Sequence, residues 1–179
     1  AGPMKIYAGG YEDVGDAAII VITAGANQKP NETRLDLVQK NAKIMADVVT
    51  QIKEQEYKGI LLIVSNPVDI MTQVAMEVSG FPEHRVFGSG TVLDSARLRY
   101  HLGQHLGVDS RSVHAFVIGE HGDSEIAAWS SANVSGVPLN SFCEMRGHYN
   151  HEGNTESIEE QVKNSAYEII AKKDATYYG

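Results

Sequence analysis

The first half of the chain alternates short apolar runs with longer amphipathic stretches. Apolar, mostly β-branched residues fill positions 17–23 (AAIIVIT) and 60–64 (ILLIV), as in strands that are buried on both faces of a parallel sheet. Residues 32–55 place apolar side chains at steps of three and four, which predicts an amphipathic helix. A second helix is predicted over 67–80 and a short strand over 85–87. This order is typical of half of a doubly wound α/β sheet.

The second half of the chain loses this alternation. A helix is predicted over 91–106, and the apolar runs 112–118 and 126–130 then predict strands with no long helix between them. After a polar stretch, a last helix is predicted over 157–172. The change of rhythm near residue 89 predicts two domains, an α/β domain followed by an α+β domain.

Composition narrows the functions that are open to the chain. Of the 179 residues, 42% are hydrophobic and 21% are charged, as in ordinary globular proteins. The net charge of −8, with no basic stripe, argues against a nucleic-acid partner. The single cysteine, Cys143, excludes a disulfide framework and a thiolate metal cluster, and it favours a reducing, cytoplasmic location. No apolar run has the length of a membrane span, and the absence of an initial methionine leads us to expect an internal fragment.

Two polar clusters carry the candidate chemistry. Residues 119–124 (GEHGDS) place His121 between glycines just after a predicted strand, while Asp94 and Arg97 lie on the helix upstream. A histidine titrates near neutral pH, a hydrogen-bonded aspartate fixes its tautomer, and an arginine fork grips a carboxylate through two hydrogen bonds. The set suits acid–base chemistry on a small carboxylic acid. Taken singly, His121 fits a structural histidine, and Asp94 with Arg97 fits a surface ion pair.

Further candidates lie at the ends of predicted elements. Asn66 follows the second strand, at the edge where α/β sheets bind their ligands, although by itself it is only a turn signal. Arg34 opens the long helix, where a cation opposes the helix dipole, so a polarising role and plain solvation are equally supported. His101 and His105 have the spacing of a zinc-binding helix but lack its glutamate, and residues 88–90 (GSG) lack the third glycine of a dinucleotide fingerprint; both are set aside.

Five ordered motifs strongly resemble the bacterial-type L-lactate dehydrogenases. They are 23–30 (TAGANQKP), 32–35 (ETRL), 64–69 (VSNPVD), 88–97 (GSGTVLDSAR) and 119–124 (GEHGDS), and the likeness runs along the whole chain. The resemblance implies a partial doubly wound (Rossmann) parallel sheet over residues 1–89, an α+β substrate domain over 90–179, and NAD as cofactor. It also implies that pyruvate and L-lactate are the substrates. A glycine-rich phosphate-binding turn is expected before residue 1, and a closing helix after Gly179.

The same resemblance assigns roles to individual residues. His121 is the proton donor and acceptor, Asp94 pairs with it, and Arg97 binds the substrate carboxylate. Arg34 closes over the site and polarises the carbonyl. The remaining assignments are two further substrate contacts, Asn66 and Thr176, and a set of cofactor contacts at Tyr11, Gly25, Ala26, Val64, Asn66 and Ser89.

Gln28 separates the two nearest relatives. Malate dehydrogenases resemble this pattern but place an arginine at the corresponding loop position, where it pairs with the second carboxylate of oxaloacetate. A neutral glutamine offers no counter-charge, so oxaloacetate would bury an unpaired anion. We therefore expect L-lactate dehydrogenase; malate dehydrogenase and a catalytically silent fragment are the alternatives.

Arg99 and His114 resemble the two basic positions at which allosteric bacterial members bind fructose 1,6-bisphosphate between subunits. The resemblance thus implies a regulated homotetramer, while surface charge explains the same two residues without an effector.

Two positions depart from the family pattern. Gly10 stands where an aspartate is common, and Asn31, where a glycine is common, is expected to affect loop closure rather than chemistry.

Overall fold

The computed structural model describes residues 4–26 and 34–173. These belong to two compact units, Ala1–Ser89 and Gly90–Gly179, and each unit is described by itself. No helix within the described ranges is both long and apolar enough to cross a membrane.

The first unit is a parallel sheet with helical connections. Its elements in chain order are β1 (Ile19–Ile22), α1 (Arg34–Glu54), β2 (Ile60–Ile63), α2 (Val68–Ser79) and β3 (Val86–Gly88). All strand pairs are parallel and the order is β1-β2-β3, with Ile20 opposite Leu61 and Leu62 opposite Phe87. The predicted α/β architecture of this half is confirmed.

Helix periodicity explains the core of this unit. Met45, Val49 and Ile52 recur at steps of four and three on α1, and all three are at most 2% exposed. Met71 and Ala75 of α2 pack into the same cluster, together with the inward side chains of β2. Both helices therefore bury their apolar stripes around the central strand.

The expectation that the first strand is buried on both faces is wrong. Ile19 and Val21 are 55% and 53% exposed, whereas Ile22 is 4% exposed. Alternate side chains of a strand point to opposite faces of the sheet, and β1 is at an edge of the strand order. Within the described residues, only one face of β1 is covered.

The second unit combines helices with short antiparallel strands. Its elements in chain order are α3 (Val92–Leu106), β4 (Val113–His114), β5 (Val117–Ile118), β6 (Ile126–Ala127), β7 (Asn133–Val134), β8 (Val137–Pro138), α4 (Leu139–Met145) and α5 (His151–Lys173). One sheet has the order β4-β7-β8 and the other consists of β5 and β6. Leu98, Leu102 and Leu106 of α3 share a buried core with Ile158 and Val162 of α5. The mixed α+β character of this half is confirmed.

The prediction of one strand over 112–118 is wrong, because side chains of α3 bind the backbone in the middle of that run. The carbonyl of Ala115 accepts a hydrogen bond from Arg99 Nε at 2.9 Å, and the N–H of Val117 donates to Ser95 Oγ at 2.9 Å. Thr91 Oγ1 donates to the carbonyl of Val117 at 2.6 Å. The run therefore divides into β4 and β5, which belong to different sheets.

Other boundaries also differ from expectation. The strand predicted over 126–130 ends at Ala127 and is followed by a 3-10 turn, Trp129–Ser131, whose polar residues close local hydrogen bonds. The last helix begins at His151 instead of residue 157, because a polar first turn, with the Asn150 side chain accepting from the N–H of Gly153, is compatible with an exposed helix end. Strands β7 and β8 and helix α4 were not predicted.

Candidate active site

His121 and Asp94 form the centre of the candidate site. Asp94 lies in the first turn of α3 with its carboxyl buried, and its Oδ2 is 2.6 Å from Nδ1 of His121. Gly119 and Gly122 flank the histidine with φ of 98° and 137°, a region that side chains rarely adopt. The glycines thus allow the loop after β5 to turn the imidazole towards α3.

Electrostatics strengthens this contact from both sides. The hydrogen bond to Asp94 raises the pKa of His121 against the opposing effect of burial. Burial alone would raise the pKa of Asp94, but the hydrogen bond and charge of His121, with Glu125 and Arg97, lower it below its usual value. The pair therefore favours an ionised aspartate beside a histidine that holds its proton.

Arg97 lies one helical turn beyond Asp94. Its Nη1 is 3.3 Å from Asp94 Oδ1, and its side chain is 13% exposed. Arg97 and His121 line the same cavity of about 150 Å³, which α5 closes from the other side with Lys163 and Tyr167. That volume is well below the roughly 300 Å³ at which pockets for drug-sized ligands begin, so the cavity suits a small acid.

Glu125 is part of this site although the sequence analysis stopped at Ser124. It is 3% exposed, and its Oε2 is 3.8 Å from Nδ1 of His121. Burial and the negative charge of Asp94 raise the pKa of Glu125 to about 7. Among the histidine, cysteine, aspartate and glutamate side chains of the described residues, Asp94, His121 and Glu125 are the one group of three whose polar atoms lie within 4.8 Å of one another. No motif marks Glu125 in the sequence, because its place in the site follows from its burial beside Asp94 and His121.

The first unit holds its candidate residues at the carboxyl edge of the sheet. Asn41 of α1, which is 4% exposed, accepts from the N–H of Ala26 at 2.8 Å and donates to the carbonyl of Asn66 at 3.0 Å. Ser65 Oγ donates to the carbonyl of Ala24 at 2.6 Å. These bonds tie the loop after β1 to the loop after β2. Asn41 and Ser65 were missed, because isolated polar residues next to apolar runs carry no motif.

The predicted cofactor contacts fit this edge. Gly25 and Ala26 follow β1, while Val64 and Asn66 follow β2 with Val64 40% exposed. Ser89 directly follows β3, and its N–H donates to the carbonyl of Ile63 at 2.8 Å. Parallel α/β sheets bind nucleotides beyond the carboxyl ends of their strands, so this donor and acceptor set fits the predicted NAD. Tyr11 lies apart from these loops in the sequence, in a 3-10 turn before β1.

Three predicted site residues have no described side chain. Gln28 and Thr176 lie outside the described residues, and Arg34 is described only as the first residue of α1.

Arg99 and His114 are described in the second unit. Arg99 binds the carbonyl of Ala115 and lies over the ring of Phe116 at 4.8 Å, and His114 is exposed on β4. Arg99 therefore has a structural contact besides its predicted effector contact.

Comparison with known families decides the class of the chain. Residues 2–88 match the model of the lactate/malate dehydrogenase NAD binding domain, and residues 91–179 match that of the lactate/malate dehydrogenase alpha/beta C-terminal domain. The chain belongs to the lactate/malate dehydrogenase family. The resemblance predicted from the five motifs is confirmed, and the residues that match the NAD binding domain fall in the first unit.

Several relatives are about 50% identical to this chain over the residues that align. L-lactate dehydrogenase from Acetivibrio thermocellus is 51% identical over 176 residues, which are 98% of this chain and 56% of that protein. L-lactate dehydrogenase 1 from Lactococcus lactis subsp. cremoris is 52% identical over 99% of this chain and 54% of its own length. The chain thus spans about half the length of the curated relatives it matches.

Solved structures show the same similarity. A lactate dehydrogenase from a Medee basin deep-sea metagenome library superposes with a TM-score of 0.93 at 49% identity, over 99% of this chain and 57% of that chain. The ligand-bound minor L-lactate dehydrogenase from Enterococcus mundtii gives 0.89 at 47% identity, over 95% and 54% of the two chains. The fold predicted from the sequence is therefore that of solved lactate dehydrogenases.

Proposed function

We propose that the full-length protein containing this chain is an NAD-dependent L-lactate dehydrogenase that interconverts pyruvate and L-lactate. The observation that carries the proposal is the 2.6 Å contact between His121 and Asp94, with Arg97 lining the same small cavity. The relatives named L-lactate dehydrogenase, at 51 and 52% identity, support the choice of reaction.

Each residue has a definite task in the proposed reaction. NAD, when bound, supplies or accepts the hydride. Asp94 holds the Nδ1–H of His121, so the ring exchanges the reacting proton through Nε2: it protonates the carbonyl oxygen of pyruvate or takes the hydroxyl proton of lactate. Arg97 grips the substrate carboxylate through two parallel hydrogen bonds. We assign polarisation of the carbonyl to Arg34 and the remaining substrate contacts to Asn66 and Thr176.

The cofactor half of the site rests on the carboxyl edge of the sheet. Gly25 and Ala26 after β1, Val64 and Asn66 after β2, and Ser89 after β3 are the proposed contacts, with Tyr11 as a further one. The bonds of Asn41 to Ala26 and Asn66 would keep this surface in one shape before the cofactor arrives.

Substrate choice is expected to depend on Gln28. In the full-length protein, kcat/KM for pyruvate should exceed that for oxaloacetate, and Gln28→Arg should raise the oxaloacetate-to-pyruvate ratio of kcat/KM by about 10²-fold or more. The physical reason is that an unpaired buried charge costs about 2–5 kcal/mol, which an arginine at this position would remove. NADH oxidation with each substrate measures the ratio.

Gln55→Arg is the matched control, because it adds the same charge at an exposed position just beyond α1. It should leave the ratio unchanged. A wild-type preference for oxaloacetate would identify malate dehydrogenase instead. No turnover with either acid in the full-length protein would favour the silent alternative, which the half-exposed Ile19 and Val21 of β1 support for the isolated chain.

We further propose that fructose 1,6-bisphosphate activates the enzyme through Arg99 and His114, on the strength of their positions in the family pattern. In the full-length protein the effector should lower the pyruvate concentration at half-saturation by about 5- to 150-fold, the usual range of allosteric coupling. His114→Gln should abolish most of this shift. It is the cleaner variant because Arg99 also binds the backbone of Ala115. A saturation curve that the bisphosphate leaves unaltered would refute the proposal.

We propose in addition that the enzyme is a cytoplasmic homotetramer that catalyses the last step of fermentative glycolysis. The family resemblance and the absence of a disulfide framework support this setting. The exposed side chains of Val92 and Leu93, at 71% and 37%, are compatible with further protein covering the start of α3.

A further inference from the structure

We propose that Glu125 is a positioning residue for the proposed reaction: its buried carboxyl carries a proton beside the ionised Asp94, and its ionisation controls how firmly His121 holds the reacting proton. The inference rests on the proposed function for its catalytic consequence. Its structural basis is independent of that function, since it consists of contacts among three side chains of one unit.

Geometry first fixes where the Glu125 carboxyl lies. Helix α3 carries Asp94, and the loop between β5 and β6 carries both His121 and Glu125. The N–H of Gly122 donates to Glu125 Oε2 at 3.4 Å, and the same oxygen is 3.8 Å from His121 Nδ1. With 3% of its surface exposed, Glu125 is almost entirely removed from solvent. The carboxyl therefore faces the Asp94–His121 contact instead of water.

The contacts of the two carboxyl groups then indicate that the proton is on Glu125. The polar atoms of Asp94, His121 and Glu125 lie within 4.8 Å of one another, and two carboxyl groups buried this close together are not both ionised. Asp94 already accepts from His121 Nδ1 and from Arg97 Nη1, both of which stabilise its ionised form. Glu125 accepts from the N–H of Gly122 at 3.4 Å, and its Oε2 lies 3.8 Å from His121 Nδ1, farther than the 2.6 Å of Asp94. The proton of this carboxyl pair therefore belongs to Glu125.

The charged and titratable groups around this cluster come from three elements. On α3 they are Asp94 and Arg97, on the loop they are His121 and Asp123, and on α5 they are Lys163 and Tyr167, which line the same cavity. Lys163 is paired with Glu159 at 3.4 Å, which offsets its charge. Arg97 contacts Asp94, so it stabilises the aspartate more directly than it stabilises Glu125. Burial and the charge of Asp94 are therefore the main influences on Glu125, and they raise its pKa to about 7.

The consequence for His121 has a definite sign. When Glu125 is protonated, the negative charge in contact with Nδ1 of the imidazole ring is that of Asp94, at 2.6 Å. When Glu125 ionises, a second negative charge stands 3.8 Å from Nδ1 and raises the pKa of His121 further. Pyruvate reduction needs the protonated ring, so Glu125 should extend that direction of the reaction to higher pH.

The test compares Glu125→Gln with the unmodified full-length protein by NMR titration of its histidine rings. The amide of glutamine is neutral, like the protonated carboxyl, and it cannot ionise. We expect the pKa of His121 to fall by at least about 0.7 unit, the low end for a unit charge about 4 Å away. The upper-pH limb of kcat/KM for pyruvate should move to lower pH by the same amount.

Thermal stability is a second readout, because the change in Tm expected for Glu125→Gln above pH 7 is opposite in sign to the change that a merely structural role would give. Glu125 has a raised pKa in the fold, so the unmodified protein should lose stability as pH rises from about 4.5 to about 7. Glu125→Gln should therefore have the higher Tm above pH 7. A residue that only filled space or held the loop would give a lower Tm in the variant and an unmoved pKa of His121, and that pair of results would overturn the proposal.

Two controls keep the inference separable from the proposed function. Glu120→Gln removes an exposed carboxyl from the same loop and should shift neither quantity. In the unmodified protein, the His121 resonance should show two inflections with pH, which tests the coupling even if the variant does not fold; a single inflection would count against it. The NMR titration and the Tm can be measured without turnover. If the unmodified protein is inactive but Glu125→Gln lowers the pKa of His121, only the proposed reaction is refuted. If the protein is active but Glu125→Gln leaves the pKa of His121 unchanged, only the role of Glu125 is refuted.

Discussion

Replacing His121 by asparagine is expected to lower kcat for pyruvate reduction in the full-length protein by about 10²- to 10⁴-fold. The range is that of a lost general acid–base group, since asparagine keeps a polar side chain of similar reach but cannot carry the reacting proton. Binding of NADH should change little, because the proposed cofactor contacts lie in the other unit. Stopped-flow or steady-state NADH oxidation, with NADH affinity by fluorescence, measures both.

His84→Asn is the matched control for this experiment. His84 is exposed in the 3-10 turn before β3 and has no part in the proposed site, so its replacement should leave kcat unchanged. Retention of more than about a tenth of kcat in His121→Asn would contradict the acid–base role, because even the weakest such groups contribute about 10²-fold.

Replacing Arg97 by lysine is expected to lower kcat/KM for pyruvate by about 10²- to 10³-fold, mainly through KM. Lysine keeps the positive charge near Asp94 but loses the planar fork that makes two parallel hydrogen bonds to a carboxylate. The magnitude corresponds to about 3–4 kcal/mol, within the range for disrupting a buried charge pair. Saturation curves for pyruvate separate the KM effect from any effect on kcat.

Arg111→Lys provides the comparison for Arg97. Arg111 makes a shorter ion pair, 2.7 Å to Asp109, but its side chain is 89% exposed and it lies outside the cavity. Exposed pairs contribute about 0–1 kcal/mol, so this variant should keep both its kinetics and its Tm. If Arg97→Lys behaved like Arg111→Lys, the proposed binding of the substrate carboxylate would be wrong.

The parallel sheet could be predicted because its strands are unusually plain in sequence. The runs at 17–23 and 60–64 are apolar and β-branched, and an amphipathic helix of more than 20 residues separates them. At these positions the apolar, β-branched side chains favour a strand, and the backbone forms the hydrogen bonds of a parallel sheet. Exposure of Ile19 and Val21 was not predictable, because burial of a strand face depends on what other protein packs against it.

Predictions were weakest in the second unit, where tertiary hydrogen bonds determine the backbone. The run 112–118 has strand-like composition, yet Ser95 and Arg99 of the preceding helix α3 form hydrogen bonds with its backbone and divide it. Strands β7 and β8 have two residues each, too few for any periodicity to be visible. Local pattern carries no information on such contacts.

The candidate site was predicted to the extent that its residues belong to motifs. Asp94, Arg97 and His121 stand in two conspicuous clusters, and these three meet in the fold as expected. Glu125 and Asn41 escaped notice because their importance comes from burial beside charged or polar neighbours, which a sequence does not display.

The hydrogen bonds that Thr91, Ser95 and Arg99 make with residues 115–117 have a consequence for how substrate preference could change in the proposed enzyme. They connect the helix that carries Asp94 and Arg97 to the strand that leads into the His121 loop, so the proposed proton carrier and the proposed carboxylate-binding residue belong to one hydrogen-bonded module. Gln28 belongs to the other unit, Ala1–Ser89. We therefore expect exchange at residue 28 to alter which acid is accepted without disturbing the proposed acid–base pair, so that a single substitution could create a new substrate preference.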